Sequence, residues 1–214
     1  MVFTNTIFVG PQKTGTSLIF DYLSLTSIPL TFPKETFFFE LNNNITINNY
    51  FSQFVSVSEQ IAEVSPSYFS SENARLNIKS ILPNSQIVIG IRKPKDLVKS
   101  YILHLYSLGI LSHSDLLNEK LMLNINFDNI SYSKFILNWI NEFENVTIYS
   151  FEKYCKSSEY RINLFSSLFT NTNFSFLNEM KLPQSNRAFS YPRYLSFLRQ
   201  ITPYMNLLPF SKSL

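Results

Sequence analysis

The residues best placed to do chemistry are Lys13 and the hydroxyls after it, in Gly10-Pro11-Gln12-Lys13-Thr14-Gly15-Thr16-Ser17. The apolar residues 7–9 before them read as a short buried strand, and Thr16 and Ser17 open an amphipathic helix over 18–25. Strand, glycine-bounded loop and helix N-terminus make an anion cradle. The loop's N–H groups turn inward, and the helix dipole adds partial positive charge at the same point. The spacing of Gly10, Gly15 and Ser17 is that of the nucleotide P-loop, G-x-x-x-x-G-K-[ST], but Thr16 stands where that loop has its lysine. Lys13 is the loop's only lysine and lies three positions earlier, which makes the loop a poor seat for a nucleoside triphosphate with Mg²⁺.

Three further stretches carry groups of chemical interest. In Lys34-Glu35-Thr36-Phe37-Phe38-Phe39 a carboxylate stands beside three phenylalanines. There it would be partly desolvated, which suits a general base for a weak alcohol or amine nucleophile; the same residues also read as a surface Lys–Glu pair before an edge strand. Ala62-Glu63-Val64-Ser65-Pro66-Ser67-Tyr68-Phe69 carries an apolar strand into a Ser-Pro turn. The apolar run 87–91 ends in Arg92, off the carboxyl end of a strand, where open α/β sheets bind ligands. Ser100 and His104 follow one helical turn apart on a shared face, although a purely structural histidine would look the same. His113 reads as a surface residue and Cys155 as a small core residue.

These groups are held by an alternation of strands and helices. Strands are expected over 7–9, 61–65, 87–91 and 146–150, the third as a continuous apolar run typical of a central parallel strand. Helices are expected over 18–25, near 50–55, over 71–82 with Ser71 as cap, over 94–108 opened by Pro94, and over 112–123, 131–144 and 160–169. Phe135, Trp139 and Phe143 recur at helical spacing and read as core. The pattern argues an α/β fold, a parallel sheet with helices on both faces, in one domain over 1–214.

GPQKTGTS resembles the 5′-phosphosulfate loop of sulfotransferases that use 3′-phosphoadenosine-5′-phosphosulfate (PAPS), in the version found in the sulfotransferase domain of heparan sulfate N-deacetylase/N-sulfotransferases and of bacterial sulfotransferase-domain proteins. The resemblance implies the P-loop-NTPase-like sulfotransferase fold and transfer of a sulfuryl group, without a metal, to a hydroxyl or amine acceptor, a glycan first among them, leaving 3′-phosphoadenosine-5′-phosphate (PAP). It implies that Lys13 reaches the bridging oxygen where charge grows, with Thr14, Gly15, Thr16 and Ser17 holding the 5′ end. Lys34-Glu35-Thr36-Phe37-Phe38-Phe39 resembles the family's K-E-x-x-F-F, which gives Glu35 the role of base. The stretch 62–69 resembles E-K-[ST]-P-x-Y-F, except that Val64 replaces a lysine that lies near the reacting groups in the family. Residues 87–94 with Ser100 resemble the 3′-phosphate site, an apolar strand ending in L-R-D-P with a serine eight residues past the arginine; Arg92 and Ser100 inherit it, and Lys93 replaces the usual aspartate. His104 stands where the N-sulfotransferase domain has a histidine near its reacting groups. Cytosolic sulfotransferases use a histidine between the two donor motifs, and none precedes His104 here, which strengthens Glu35. Residues 182–193, with Arg187 and Arg193, resemble the N-x-S-x-x-P-R tails of bacterial members.

The chain's 214 residues allow a full core, and 45% hydrophobic content with 21 phenylalanines favours a packed globule. A net charge of +3 is no nucleic-acid signature, so no nucleic-acid partner is expected. A single cysteine fits a reducing compartment, and residues 1–5 run straight into the first strand with no room for a leader or transmembrane anchor; a cytoplasmic location is expected. Two rivals stay open. One is a nucleotide or small-molecule P-loop kinase, opposed by the missing loop lysine; the other is a non-catalytic PAP- or glycan-binding protein, kept alive by Val64.

Overall fold

The computed structural model describes residues 4–41, 45–116 and 132–180. Among these residues, four parallel strands form one sheet in the order β2-β1-β3-β4: β1 (Thr4–Gly10), β2 (Gln60–Val64), β3 (Gln86–Ile91) and β4 (Val146–Ser150). Side chains of β1 alternate between faces, as a strand requires. Ile7 and Val9 join Ile61, Ile87 and Ile89 on one face, while Phe8 joins Ala62, Val64 and Val88 on the other.

Helices cover both faces. The first is packed by α4 (Glu72–Ile81) and α7 (Tyr132–Glu142), with Phe38 and Phe39 from the single turn α2 (Phe38–Leu41) and Tyr50 from α3 (Ile47–Phe51). The second is packed by α1 (Thr16–Leu23), α8 (Phe151–Lys156) and α9 (Ser158–Leu168). Trp139 is buried, and its Nε1 donates to the Phe69 carbonyl at 3.0 Å; burial of a side chain that size stabilises by roughly 1.5–3 kcal/mol. The expected α/β architecture is the one observed. Ser71 caps α4, its Oγ accepting from the Ala74 N–H at 3.1 Å. Helix α8 was not expected: Ser150 ends β4 and caps the helix at once, so no loop separates them.

Among the described residues, 4–41, 45–93 and 132–180 make one compact unit that contains the whole sheet, and 94–116 belongs to a second. The second unit contains α5 (Pro94–Ser107), with Leu97 and Tyr101 buried, and α6 (His113–Leu116). The remainder of the helix expected over 112–123, and residues 182–193 with Arg187 and Arg193, lie outside the described residues. No helix of the described residues is long and apolar enough to cross a membrane.

Candidate active site

The loop 10–15 leaves the carboxyl end of β1 in the middle of the sheet. Pairing of β1 with β3 slips between Phe8 and Gly10, a bulge that bends the strand as it enters the loop. Gly10 has φ 108°, and a Cβ there would lie 2.8 Å from the Pro66 carbonyl oxygen, in the 3₁₀ turn Pro66–Ser70 after β2. Gly15 has φ 90°, and a Cβ there would lie 2.8 Å from the Phe151 ring just after β4. Both positions therefore need glycine for conformation and for space.

Between the two glycines the loop is tied down at each step. Thr14 is buried, and its Oγ1 donates to the Pro11 carbonyl at 2.6 Å. The Thr14 carbonyl accepts from the buried Tyr149 hydroxyl at 2.8 Å. Lys13 has the left-handed φ of 68°, a conformation costly for a side-chain residue, and Arg92 Nη1 holds its carbonyl at 3.0 Å. Arg92 is itself steadied. Its guanidinium stacks over the Phe151 ring at 4.6 Å, and its backbone exchanges hydrogen bonds with the Tyr132 hydroxyl at 2.8 and 2.9 Å. The ends of all four strands thus converge on one loop.

The electrostatics of this loop are those of an anion site. Burial, and then the Arg92 charge, hold the Lys13 ammonium below the usual lysine range. Among the described residues no carboxylate lies within ion-pair distance of Lys13 or Arg92. Gly15 caps α1 without a side-chain acceptor, so the first-turn N–H groups at Thr16 and Ser17 also lack a side-chain cap. Two cations and a helix N-terminus thus share one loop, and among the described residues neither cation is ion-paired with a carboxylate.

Glu35 is a third exposed, and its carboxylate accepts from Lys34 Nζ at 2.9 Å. The three phenylalanines do not enclose it. Phe37 turns the chain with φ 53° and stays exposed, sending Phe38 and Phe39 into the core. The next residue, Thr36, reaches a buried carboxylate, the glutamate of the stretch 62–69, to which the sequence reading gave no role. Glu63 Oε1 accepts from Thr36 Oγ1 at 3.0 Å, from Ser65 Oγ at 2.8 Å and from the Tyr68 hydroxyl at 2.7 Å. Burial pushes the Glu63 carboxyl up against the opposing pull of Tyr68, Ser65, Thr36 and Tyr50. Burial also raises Glu40, aided by the charges of Glu35 and Glu63. One signal of Glu63 was visible in the sequence: a lone charge inside the apolar run Ile61-Ala62-Glu63-Val64.

Val64 is fully buried among the apolar residues that α1 covers. Ser100 and His104 lie one turn apart on α5, in the second unit, both partly exposed. Cys155 is half-buried, and burial pushes its thiol up. No cluster of three or more metal-ligating side chains occurs among the described residues.

The chain is similar to known proteins in two ways. It is 32% identical over 116 residues to the bifunctional heparan sulfate N-deacetylase/N-sulfotransferase 1 of Caenorhabditis elegans, and 30% identical over 110 residues to the human N-deacetylase/N-sulfotransferase 3. These matches cover 51% and 46% of this chain but only 13% and 12% of those proteins, so the chain spans a small part of the relatives it matches. Its structure superposes on a sulfotransferase from Alicyclobacillus acidocaldarius with a TM-score of 0.63 at 20% identity, covering 86% of this chain and 88% of the other. The sulfotransferase domain from the curacin biosynthetic pathway gives 0.54 at 14% identity, over 90% and 80%. No protein-family model matches the chain. The fold is that of the sulfotransferases, and half the sequence is related to the heparan sulfate N-deacetylase/N-sulfotransferases.

Proposed function

We propose that this chain, with its sulfotransferase fold and its kinship to the N-deacetylase/N-sulfotransferases, is one sulfotransferase domain that moves a sulfuryl group from PAPS to a hydroxyl or amine of a small-molecule acceptor, a glycan by preference. The observation that carries this reading is the loop 10–15, where Lys13 and Arg92 are linked at 3.0 Å and no carboxylate of the described residues pairs with either. Removing two like charges from water is unfavourable, and an anionic ligand offsets that cost. PAPS supplies the sulfuryl group and, in PAP, the leaving phosphate.

Each residue then has a task. Lys13 neutralises charge on the oxygen that bridges phosphate and sulfur as that bond breaks. The N–H groups from Thr14 through Ser17 hold the 5′ end, and Arg92 with Ser100 grips the 3′-phosphate. Glu35 takes the proton that the acceptor gives up as its oxygen or nitrogen bonds to sulfur, and His104 supports it on the acceptor side. Catalysis is positioning plus electrostatic stabilisation, and no step requires a metal.

The test is transfer from labelled PAPS across glycans, lipids and phenols, in EDTA, with Glu35→Gln and His104→Ala beside the parent. We expect transfer to at least one acceptor class. Glu35→Gln should lower kcat by about 10² or more with little change in donor affinity, and His104→Ala should do less. Mg²⁺-dependent ATP turnover without PAPS transfer would replace this reading with a kinase. A second reading, a PAP- or glycan-binding protein without turnover, is favoured by one observation: Val64 is packed into the core at a position where the resembling proteins have a lysine. Micromolar PAP binding with no transfer to any acceptor class would select it.

A further inference from the structure

Glu63 is wholly buried, yet the residues that bind it belong to three pieces of backbone around the site. Thr36 adjoins the proposed base Glu35, Ser65 follows β2, and Tyr68 lies in the turn whose Pro66 abuts Gly10. The network closes on itself. Thr36 Oγ1 lies 3.2 Å from the Tyr68 hydroxyl and accepts from the Phe38 N–H at 3.2 Å, and the Phe39 N–H donates to Tyr68 at 3.4 Å. Ser65, through its own N–H, donates to the Phe8 carbonyl of β1 at 3.0 Å. One carboxylate oxygen therefore gathers hydroxyls from the Glu35 segment and from the turn against which the anion loop starts.

The donor count bears on the charge state. Oε1 receives three hydroxyls, which favour the ionised form, whereas Oε2 has no hydrogen-bond partner among the described residues and burial opposes the charge. Tyr68 and Tyr50 are both pushed up by burial and then by Glu63, and so stay protonated as donors. Glu35 and Glu40 are the other charges acting in this cluster. Three donors on a buried ionised oxygen make strong, shape-defining bonds.

We propose that Glu63 is a positioning residue: through Thr36 its buried carboxylate fixes the segment 35–39, and with it the Glu35 carboxylate, relative to the end of β2 and the anion loop. The catalytic half of this inference rests on the reading of Glu35 as base; the anchoring half does not. Without the anchor the segment would keep its core phenylalanines but lose the tether next to Glu35, and misplacement by about 1 Å costs on the order of 10² in rate.

The experiment uses the full chain with Glu63→Gln, Thr36→Val and Thr36→Ser. Thr36 is half-buried and near the surface, so Thr36→Val tests the link even if Glu63→Gln fails to fold. Hydrogen exchange should accelerate at the Phe38 and Phe39 amides in Thr36→Val and stay slow in Thr36→Ser. With PAPS and acceptor saturating, Thr36→Val should lower kcat about tenfold and Glu63→Gln about a hundredfold, with PAP affinity held within about twofold. Thr36→Ser should restore kcat. In Glu35→Gln, adding Thr36→Val should cost almost nothing more, since the two act through one group. Unchanged exchange in Thr36→Val overturns the anchor. Faster exchange with full kcat, or equal losses in kcat and PAP affinity, overturns its role in positioning the base. A parent chain without any transfer defeats the sulfuryl-transfer reading instead, and exchange then decides the anchor alone.

Discussion

Lys13 and Arg92 behave as a pair because Arg92 acts on both the backbone and the ammonium of Lys13. Arg92 holds the carbonyl of Lys13, and its charge, after burial, depresses the Lys13 ammonium. If the loop takes a dianionic ligand, that charge opposes the depression, and binding at alkaline pH should take up protons. Calorimetry of PAP binding at about pH 9, in buffers of different ionisation enthalpy, should show that uptake in the parent and not in Lys13→Met. Proton release, or equal uptake in both, would remove Lys13 from the anion site. Arg92 is expected to separate ligands by their 3′ end. Arg92→Ala should weaken PAP about tenfold to a hundredfold, the worth of a charged forked contact at roughly 1.5–3 kcal/mol. A nucleotide lacking the 3′-phosphate should lose less, though not nothing, because the substitution also frees the Lys13 carbonyl. Equal losses by titration for both ligands would sink the assignment.

At the scale of elements, the anion loop is shaped by residues at or just past the ends of β2, β3 and β4, and this divides what the sequence reveals from what it hides. Apolar runs with turn signals made the four strands legible, and the glycines with Lys13 and Arg92 marked the loop and its partner. The clamps did not show. Tyr149 and Phe151, at the end of β4, and Tyr132, which opens α7, are ordinary aromatics in sequence and meet the loop only through the fold. Glu35 looked enclosed by phenylalanines, but a left-handed Phe37, which no propensity predicts, turns two of them away. Tyr149 offers the direct test of the clamp. Its buried hydroxyl satisfies the Thr14 carbonyl at 2.8 Å, so Tyr149→Phe leaves that acceptor unpaired, at a cost of about 1–3 kcal/mol. Urea unfolding should show this loss, and PAP affinity should fall as the loop loosens. A variant as stable as the parent would mean that the bond contributes nothing to the loop.

At the scale of the molecule, the core holds an ionisable group that ordinary packing would exclude, and its titration must appear in the pH dependence of folding. Burial raises the Glu63 carboxyl above the ordinary carboxylate value of about 4.3. In the unfolded chain the group returns to that value. Between the two values the folded chain binds the proton more tightly than the unfolded chain, so folding loses free energy as pH rises through this window. The contribution is fully present below the unfolded value and gone above the folded one, with a limiting slope of about 1.4 kcal/mol per pH unit for one proton. Glu40 titrates in the same direction, raised by burial and in part by the Glu63 charge, so Glu63→Gln also relaxes part of its shift and the two contributions to the difference have the same sign. Urea unfolding of both from pH 4 upward should therefore show the parent losing ground to Glu63→Gln as pH rises. The loss of hydrogen-bond quality in the glutamine variant adds only a constant offset, so the diagnostic quantity is the slope of the difference. If the parent instead gains on the variant with rising pH, the network holds Glu63 below its ordinary value, and the three hydroxyls outweigh burial.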